Sequence, residues 1–166
     1  IVSESWKTND LKTIDDIYVK SSINQFIIGM LVFVGIWGNI DNVFLFPKPE
    51  YAAGKWVIFW ISLSNLITVL SGVSIIILAT SKYYRYQMWF MLFLIAIVVV
   101  SNLIFIPLWG LTGASVASFI SLFLYTFFVC FFLYRKFKIQ PLRAKHLSIV
   151  AAGLAAYFAS ELMPSL

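Results

Sequence analysis

From Gln87 to Tyr134 the sequence contains no charged side chain. This stretch is far longer than the roughly 20 apolar residues that an α-helix needs to cross the hydrocarbon core of a bilayer. A proline and two glycines near its middle, in PLWGLTG, indicate a turn between two such helices. The stretch therefore excludes an ordinary water-soluble domain and predicts two neighbouring membrane spans.

The composition of the whole chain agrees with a membrane location. Hydrophobic residues make up 61% of the 166 positions and charged residues 11%, and the mean hydropathy is +0.93. A soluble domain carries about 25% charged residues. The net charge of +5 comes from cations clustered between apolar runs, where they contact lipid headgroups. We therefore expect membrane lipids as partners and no nucleic acid.

Five segments are long and apolar enough to be spans. They cover roughly residues 23–46, 56–80, 87–106, 112–134 and 147–163. A backbone in contact with lipid must satisfy its own hydrogen bonds, and no strand-like alternation of apolar and polar residues suggests a barrel. The predicted fold class is an all-α integral membrane protein with about five transmembrane helices.

The lysines and arginines are divided unequally between the two sets of connections. Ten of the 12 lie before the first span or in the second and fourth connections: Lys7, Lys12, Lys20, Lys82, Arg85, Arg135, Lys136, Lys138, Arg143 and Lys145. The opposite side holds Lys48 and Lys55. Because cytoplasmic loops are enriched in lysine and arginine, the amino end of this sequence is predicted to be cytoplasmic.

The predicted spans divide the chain into four parts. These are a cytoplasmic amphipathic lead-in (1–22), a four-helix region (23–134), a basic cytoplasmic loop (135–146) and an additional terminal helix that the sequence truncates (147–166). In the lead-in, Asn9 or Asp10 is placed to cap a helix. The one histidine, His146, ends the basic loop and is expected at headgroup level. Since the chain begins at Ile1 rather than Met, we interpret it as a piece of a larger membrane protein.

Asp41 is the one acidic residue inside the first four predicted spans, and Asn39 and Asn42 flank it. Ionisable groups at membrane depth are costly and commonly line a pathway or pair with a partner. Asp41 is therefore a candidate for an ion, proton or substrate site, unless it lies close enough to the outer end of the helix to be hydrated. Trp37 lies too deep for an interfacial aromatic belt and joins this candidate site.

The second span carries a polar stripe at helical spacing. Its members are Ser64, Asn65, Thr68, Ser71 and Gly72. Such a stripe either packs closely against another helix through small side chains and hydrogen bonds, or lines a polar cavity. The spacing fits both readings equally well, so the sequence leaves them open.

The residue types of enzymatic chemistry are almost absent. The sequence has one cysteine and one histidine, no cluster with metal-ligand spacing and no pair of titratable groups placed for acid–base catalysis at membrane depth. We therefore expect neither an enzyme nor a metal site, and no cofactor.

Small residues follow the predicted turn at helical spacing. Gly113, Ala117 and Ser121 form one such face, and a second face consists of Gly110, Ala114 and Ser118. Faces of this kind allow two helix backbones to approach closely in a bilayer, where the hydrophobic effect does not drive helices together.

At these residues the sequence resembles a known family. IPLWGLTGASVASFIS is similar to the IP-x-x-G-x-x-G-A-A-x-A-T-x-I-S pattern of polysaccharide exporters in the multidrug/oligosaccharidyl-lipid/polysaccharide (MOP) flippase superfamily. NIDNVFLFPKPEYAAGKWVI and SGVSIIILATSKYYRY resemble two further segments of that family, in the same order. Ser115 and Ser118 replace an alanine and a threonine of the pattern and preserve its small residues.

The resemblance implies a two-lobed fold like that of multidrug and toxin extrusion (MATE) transporters. The five spans would be most of the second lobe plus one added helix, with the amino-terminal half of the same protein as the partner. It further implies flipping of lipid-linked oligosaccharide across a bacterial inner membrane by alternating access, with possible proton or sodium coupling. The alternative is a MATE-like drug or cation exporter, in which Asp41 binds the coupling ion or a cationic drug.

Overall fold

The computed structural model describes residues 2–40 and 54–162, with side chains through Phe158. Within these ranges the chain is helical and contains no strand. The helices are α1 (Val2–Lys7), α2 (Leu11–Gly38), α3 (Gly54–Leu70), α4 (Ser74–Thr80), α5 (Tyr84–Phe137) and α6 (Ala144–Leu162). The prediction of an all-α chain is confirmed for the described residues.

Two of the described helices, α2 and α5, are long and apolar enough to cross a membrane. The pair α3 and α4 adds a third candidate if it counts as one span, bent by 46° at the break between them. The apolar part of α6, Ala144–Phe158, is shorter. The chain thus has the helices of a membrane protein, and the count of five spans stays a prediction.

Helix α5 is a hairpin rather than a straight rod. Gly110 interrupts its 54 residues with φ 58° and ψ −130°, and the second arm runs back along the first. The hydroxyl oxygens of Ser101 and Ser121 lie 3.0 Å apart, and the rings of Phe93 and Phe128 are 5.2 Å apart. The predicted turn is confirmed. The chain reverses at Gly110, and Pro107 remains within the first arm.

Helix α2 begins 12 residues earlier than the predicted first span and absorbs most of the lead-in. Asp10 caps it, since Asp10 Oδ1 accepts a hydrogen bond from the Thr13 amide at 3.1 Å. The Thr13 hydroxyl donates to Asp10 Oδ2 at 2.6 Å, and this bond is the main reason that the pKa of Asp10 lies below its ordinary value. Ile14 and Tyr18 are fully buried, so this part of α2 is a core element.

The second predicted span is broken. Residues 71–73 separate α3 from α4, and Gly72 adopts a φ of 54°, in the left-handed region. A Cβ atom on Gly72 would lie 3.0–3.2 Å from the backbone and Cβ of Ser22, so α2 approaches this break closely. The span predicted over residues 56–80 therefore consists of two helices that meet at a bend.

Two apolar clusters hold the helices together. The larger one joins α2, α4 and the second arm of α5, and it consists of Ile14, Tyr18, Ile77, Leu78, Tyr125, Val129, Leu133 and Ile139. The smaller one joins α2 to α3 through Phe26, Met30 and Leu66. Outside these clusters many large apolar side chains are exposed, among them Leu103 and Leu111, as expected of a surface that faces lipid.

Three segments contain most of the lysines and arginines: residues 7–20, 82–85 and 135–145. These basic segments meet at one end of the bundle. The rings of Trp6 and Phe137 are 4.7 Å apart, and Lys82 and Lys136 both lie over the ring of Tyr83. Arg143 forms an ion pair of 2.6 Å with Asp15 of α2. The Gly110 turn lies at the far end of the α5 hairpin.

Candidate functional site

The predicted site around Asp41 is partly outside the described residues. Asp41 and Asn42 both fall there. Asn39 is exposed and follows the end of α2, and its side-chain amide donates to the Gly35 carbonyl at 3.0 Å. Trp37 is half-buried, with its ring centroid 4.8 Å from that of Phe59 and 6.4 Å from that of Trp56. Trp37 therefore belongs to an aromatic cluster between α2 and α3.

A cavity of about 290 Å³ adjoins this cluster, between α2, α3 and α6. It is lined mainly by aromatic and apolar side chains, with Phe33, Trp37, Phe59 and Tyr157 among them. The Lys55 ammonium lies 5.7 Å from the centre of the Trp37 ring. Aromatic faces attract cations in this way, so the cluster has the chemistry to hold a positive group.

The hydroxyl groups of the polar stripe donate hydrogen bonds to backbone carbonyls three or four residues earlier in the chain. Ser64 is buried and donates to the Trp60 carbonyl at 2.7 Å, and Thr68 donates to the Ser64 carbonyl at 3.0 Å. Ser71 donates in the same way to the carbonyl of Thr68 at 2.7 Å. These hydroxyls let α3 face its neighbours without unpaired polar groups.

Asn65 is an exposed member of the stripe, and its amide forms no hydrogen bond within α3. It lines a groove of about 430 Å³ between α2 and α3, together with Gln25 and Ser62. The rest of the lining consists of Gly29 and apolar side chains: Ile28, Val32, Phe33, Ile36, Leu66 and Val69. We call this feature the amide groove. In the described part of the chain, the amides of Gln25 and Asn65 have no hydrogen-bond partner.

Gly29 sets the depth of the amide groove. A Cβ atom at this position would lie 2.8 Å from Val69 Cγ2 and 3.3 Å from Leu66 Cδ2. Helices α2 and α3 therefore approach each other closely at Gly29, where α2 has no side chain. Asn65 could be predicted from the sequence as part of the polar stripe, but Gln25 and Ser62 could not, because isolated polar residues in apolar helices have no periodic pattern.

The two predicted faces of small residues have different roles. In the face of Gly113, Ala117 and Ser121 all three residues are buried, and a Cβ atom on Gly113 would meet the Phe105 carbonyl. In the second face Gly110 is exposed at the turn, whereas Ala114 and Ser118 are partly buried. The Ser118 hydroxyl donates to the Ala114 carbonyl within its own helix. The first face closes the α5 hairpin.

His146 is buried and forms hydrogen bonds that connect several helices, which the sequence did not predict. It is 4% exposed, and its ring contacts that of Phe26. Its Nδ1 accepts the Arg143 amide hydrogen at 3.1 Å, which leaves the proton on Nε2 to donate to Ser22 Oγ at 3.0 Å. Ser22 in turn donates to the Leu70 carbonyl. The ring therefore links α2, the break after α3 and the start of α6.

The chain matches no known family of proteins, no curated protein and no solved structure.

Proposed function

We propose that this chain is part of a membrane transporter that flips lipid-linked oligosaccharide across a bacterial inner membrane. The amide groove is the observation that carries the proposal. Its apolar walls suit a lipid chain, and the amides of Gln25 and Asn65 can donate to and accept from sugar hydroxyls. Polar groups left unpaired in a bilayer are costly, so a substrate or another helix must bind these amides.

The flippase proposal is tested with the full-length protein in vesicles. Outward movement of a fluorescent lipid-linked oligosaccharide is measured for the wild type, for Asn65→Leu and for Asn24→Leu. Asn24 is an exposed asparagine of α2 that does not line the groove, so it provides the same chemical change elsewhere. We expect Asn65→Leu to slow flipping about tenfold, which corresponds to the loss of roughly one hydrogen bond.

Three results would count against this function. The first is that the wild-type protein moves no labelled lipid under conditions in which an authentic flippase does. The second is that Asn65→Leu flips as fast as the wild type. The third is equal impairment of Asn24→Leu and Asn65→Leu, which would indicate a general defect rather than a site in the groove.

The second candidate is a drug or cation exporter with the same architecture, and the aromatic cluster around Trp37 favours it. The rings of Phe59 and Trp56 lie next to the Trp37 ring, and the side-chain ammonium of Lys55 lies over it. Efflux of a cationic dye from vesicles, measured for the wild type, Trp37→Leu and Asp41→Asn, distinguishes this function. Efflux that neither substitution alters would remove both residues from the transport path.

A further inference from the structure

A basic cavity lies between α2 and the start of α6, at the end of the bundle where the basic segments meet. Its volume is about 510 Å³. It is lined by Asp16, Val19, Lys20, Ile23, Arg143, Ala144 and Lys145. We call it the basic cavity. It is separate from the amide groove, which lies between α2 and α3.

The charges of the basic cavity favour an anion. Arg143 already has a partner, since it binds the Asp15 carboxylate at 2.6 Å. Lys20 and Lys145 are exposed, and neither forms an ion pair with any residue that the structure describes. Asp16 offsets one of these two charges. The first turn of α6 contains no acidic residue, so the positive end of its helix dipole adds to the potential.

An apolar surface continues directly from the basic cavity along α2. Lys20, Ile23, Ile27 and Leu31 recur at intervals of three and four residues and so lie on one face of the helix. Ile27 is 46% exposed and Leu31 is 72% exposed. On the α6 side Leu147, just after Lys145, is 75% exposed. Cations at the end of such an apolar face match an amphiphile with an anionic head and acyl chains.

We propose that the basic cavity binds the headgroup of an anionic membrane phospholipid between Lys20 and Lys145, with an acyl chain along Ile23, Ile27 and Leu31. Basic pockets between helices on the cytoplasmic side of membrane proteins bind such headgroups. The lipid ties α2 to α6 beside the Arg143–Asp15 ion pair. The site does not depend on the proposed transport function, because it requires only that these helices lie in a bilayer.

The test is native mass spectrometry of the full-length protein titrated with phosphatidylglycerol or with zwitterionic phosphatidylcholine. Three forms are compared: the wild type, the double variant Lys20→Gln/Lys145→Gln, and the control Lys82→Gln/Arg85→Gln. The control removes the same charge from a different basic segment. We expect the cavity variant to bind phosphatidylglycerol at least about tenfold more weakly than the wild type. The control should stay within about twofold of the wild type, because Lys82 and Arg85 do not line the basic cavity.

Inorganic phosphate separates a lipid from a soluble anion. If the proposal is right, millimolar phosphate does not displace phosphatidylglycerol, because phosphate lacks the acyl chain that contacts Ile27 and Leu31. Displacement by phosphate, equal binding of the two phospholipids, or equal weakening in both double variants each overturns the proposal. A circular dichroism spectrum for each form establishes that the helices are intact, and Ile27→Asn supplies a second variant that keeps both lysines and should also weaken binding.

Discussion

The Nε2 atom of His146 lies 3.0 Å from the Oγ atom of Ser22, and this hydrogen bond joins the start of α6 to α2. In an unbroken helix the Leu70 carbonyl would accept from the amide of residue 74, four positions on. The Ser74 amide instead donates to the Ser71 carbonyl, which leaves the Leu70 carbonyl for the Ser22 hydroxyl. The bend between α3 and α4 is therefore stabilised by a side chain from another helix.

Replacing Ser22 with alanine should destabilise the protein. The substitution leaves both the Leu70 carbonyl and the His146 ring without this partner, and Ser22 itself is fully buried. An unsatisfied buried group costs about 1–3 kcal/mol of unfolding free energy. The measurement is the unfolding midpoint in an SDS titration of the protein in mixed micelles.

Ser21→Ala is the matched control for Ser22→Ala. The neighbouring Ser21 is only partly buried, and its side chain makes no hydrogen bond with the described part of the chain. We expect its midpoint to stay within about 0.5 kcal/mol of the wild type. Equal midpoints for the two variants would mean that the Ser22 junction does not contribute to stability.

Gly113→Ala should force the two arms of α5 apart. The new Cβ atom would clash with the carbonyl group of Phe105, whose backbone atoms cannot rotate away. Overpacking of this kind costs about 1–3 kcal/mol. Gly35→Ala is the control, since a Cβ at Gly35 meets nothing within 4 Å. Alanine favours helices by about 1 kcal/mol over glycine, so Gly35→Ala should be neutral or stabilising in the same unfolding assay.

The turn of α5 and the start of α2 could be predicted from the sequence because local residue chemistry determines both. Gly110 adopts a backbone conformation that a residue with a side chain rarely adopts, and Asp10 caps its helix from a position three residues before Thr13. The small residues after the turn are spaced for close packing, and Gly113, Ala117 and Ser121 are indeed buried against the first arm.

The break in the second predicted span could not be found in this way. The break depends on contacts between distant segments, because Ser22 and His146 are far from Leu70 in sequence. No pattern around residues 71–73 indicates that Ser22 and His146 pack next to this part of the chain. The same holds for the amide groove, which Gln25 of α2 and Asn65 of α3 line together and beside which Gly29 lets α2 approach Val69. Contacts between distant segments, rather than local propensity, decide these features.

The cap of α2 should weaken in acid. The pKa of Asp10 is lowered by the hydroxyl of Thr13 and then by its amide, so the cap stabilises the helix fully above the ordinary pKa of about 4. This stability is lost as the pH falls through the lower pKa of the folded state.

The Thr13 amide resonance, followed by NMR from pH 6 to pH 2, should report fraying below about pH 4. Asp10→Asn keeps a capping oxygen that does not titrate, so the same acid transition in that variant would exclude Asp10 as its cause.

A disulfide between cysteines at positions 101 and 121 should form readily. The two serine hydroxyl oxygens, which cysteine sulfurs would replace, are 3.0 Å apart in the closed hairpin, and a small movement brings two sulfurs to the bond length of about 2.0 Å. In a straight 54-residue helix these positions would be about 30 Å apart at 1.5 Å per residue.

In membranes of a Cys130→Ser background, oxidation should cross-link Ser101→Cys/Ser121→Cys nearly completely, as detected by mass spectrometry of chymotryptic peptides. Ser115→Cys paired with Ser101→Cys is the control, because positions 115 and 121 lie on different faces of the second arm at about 3.6 residues per turn. Comparable cross-linking in both pairs, or none in the first, would rule out the hairpin register described for α5.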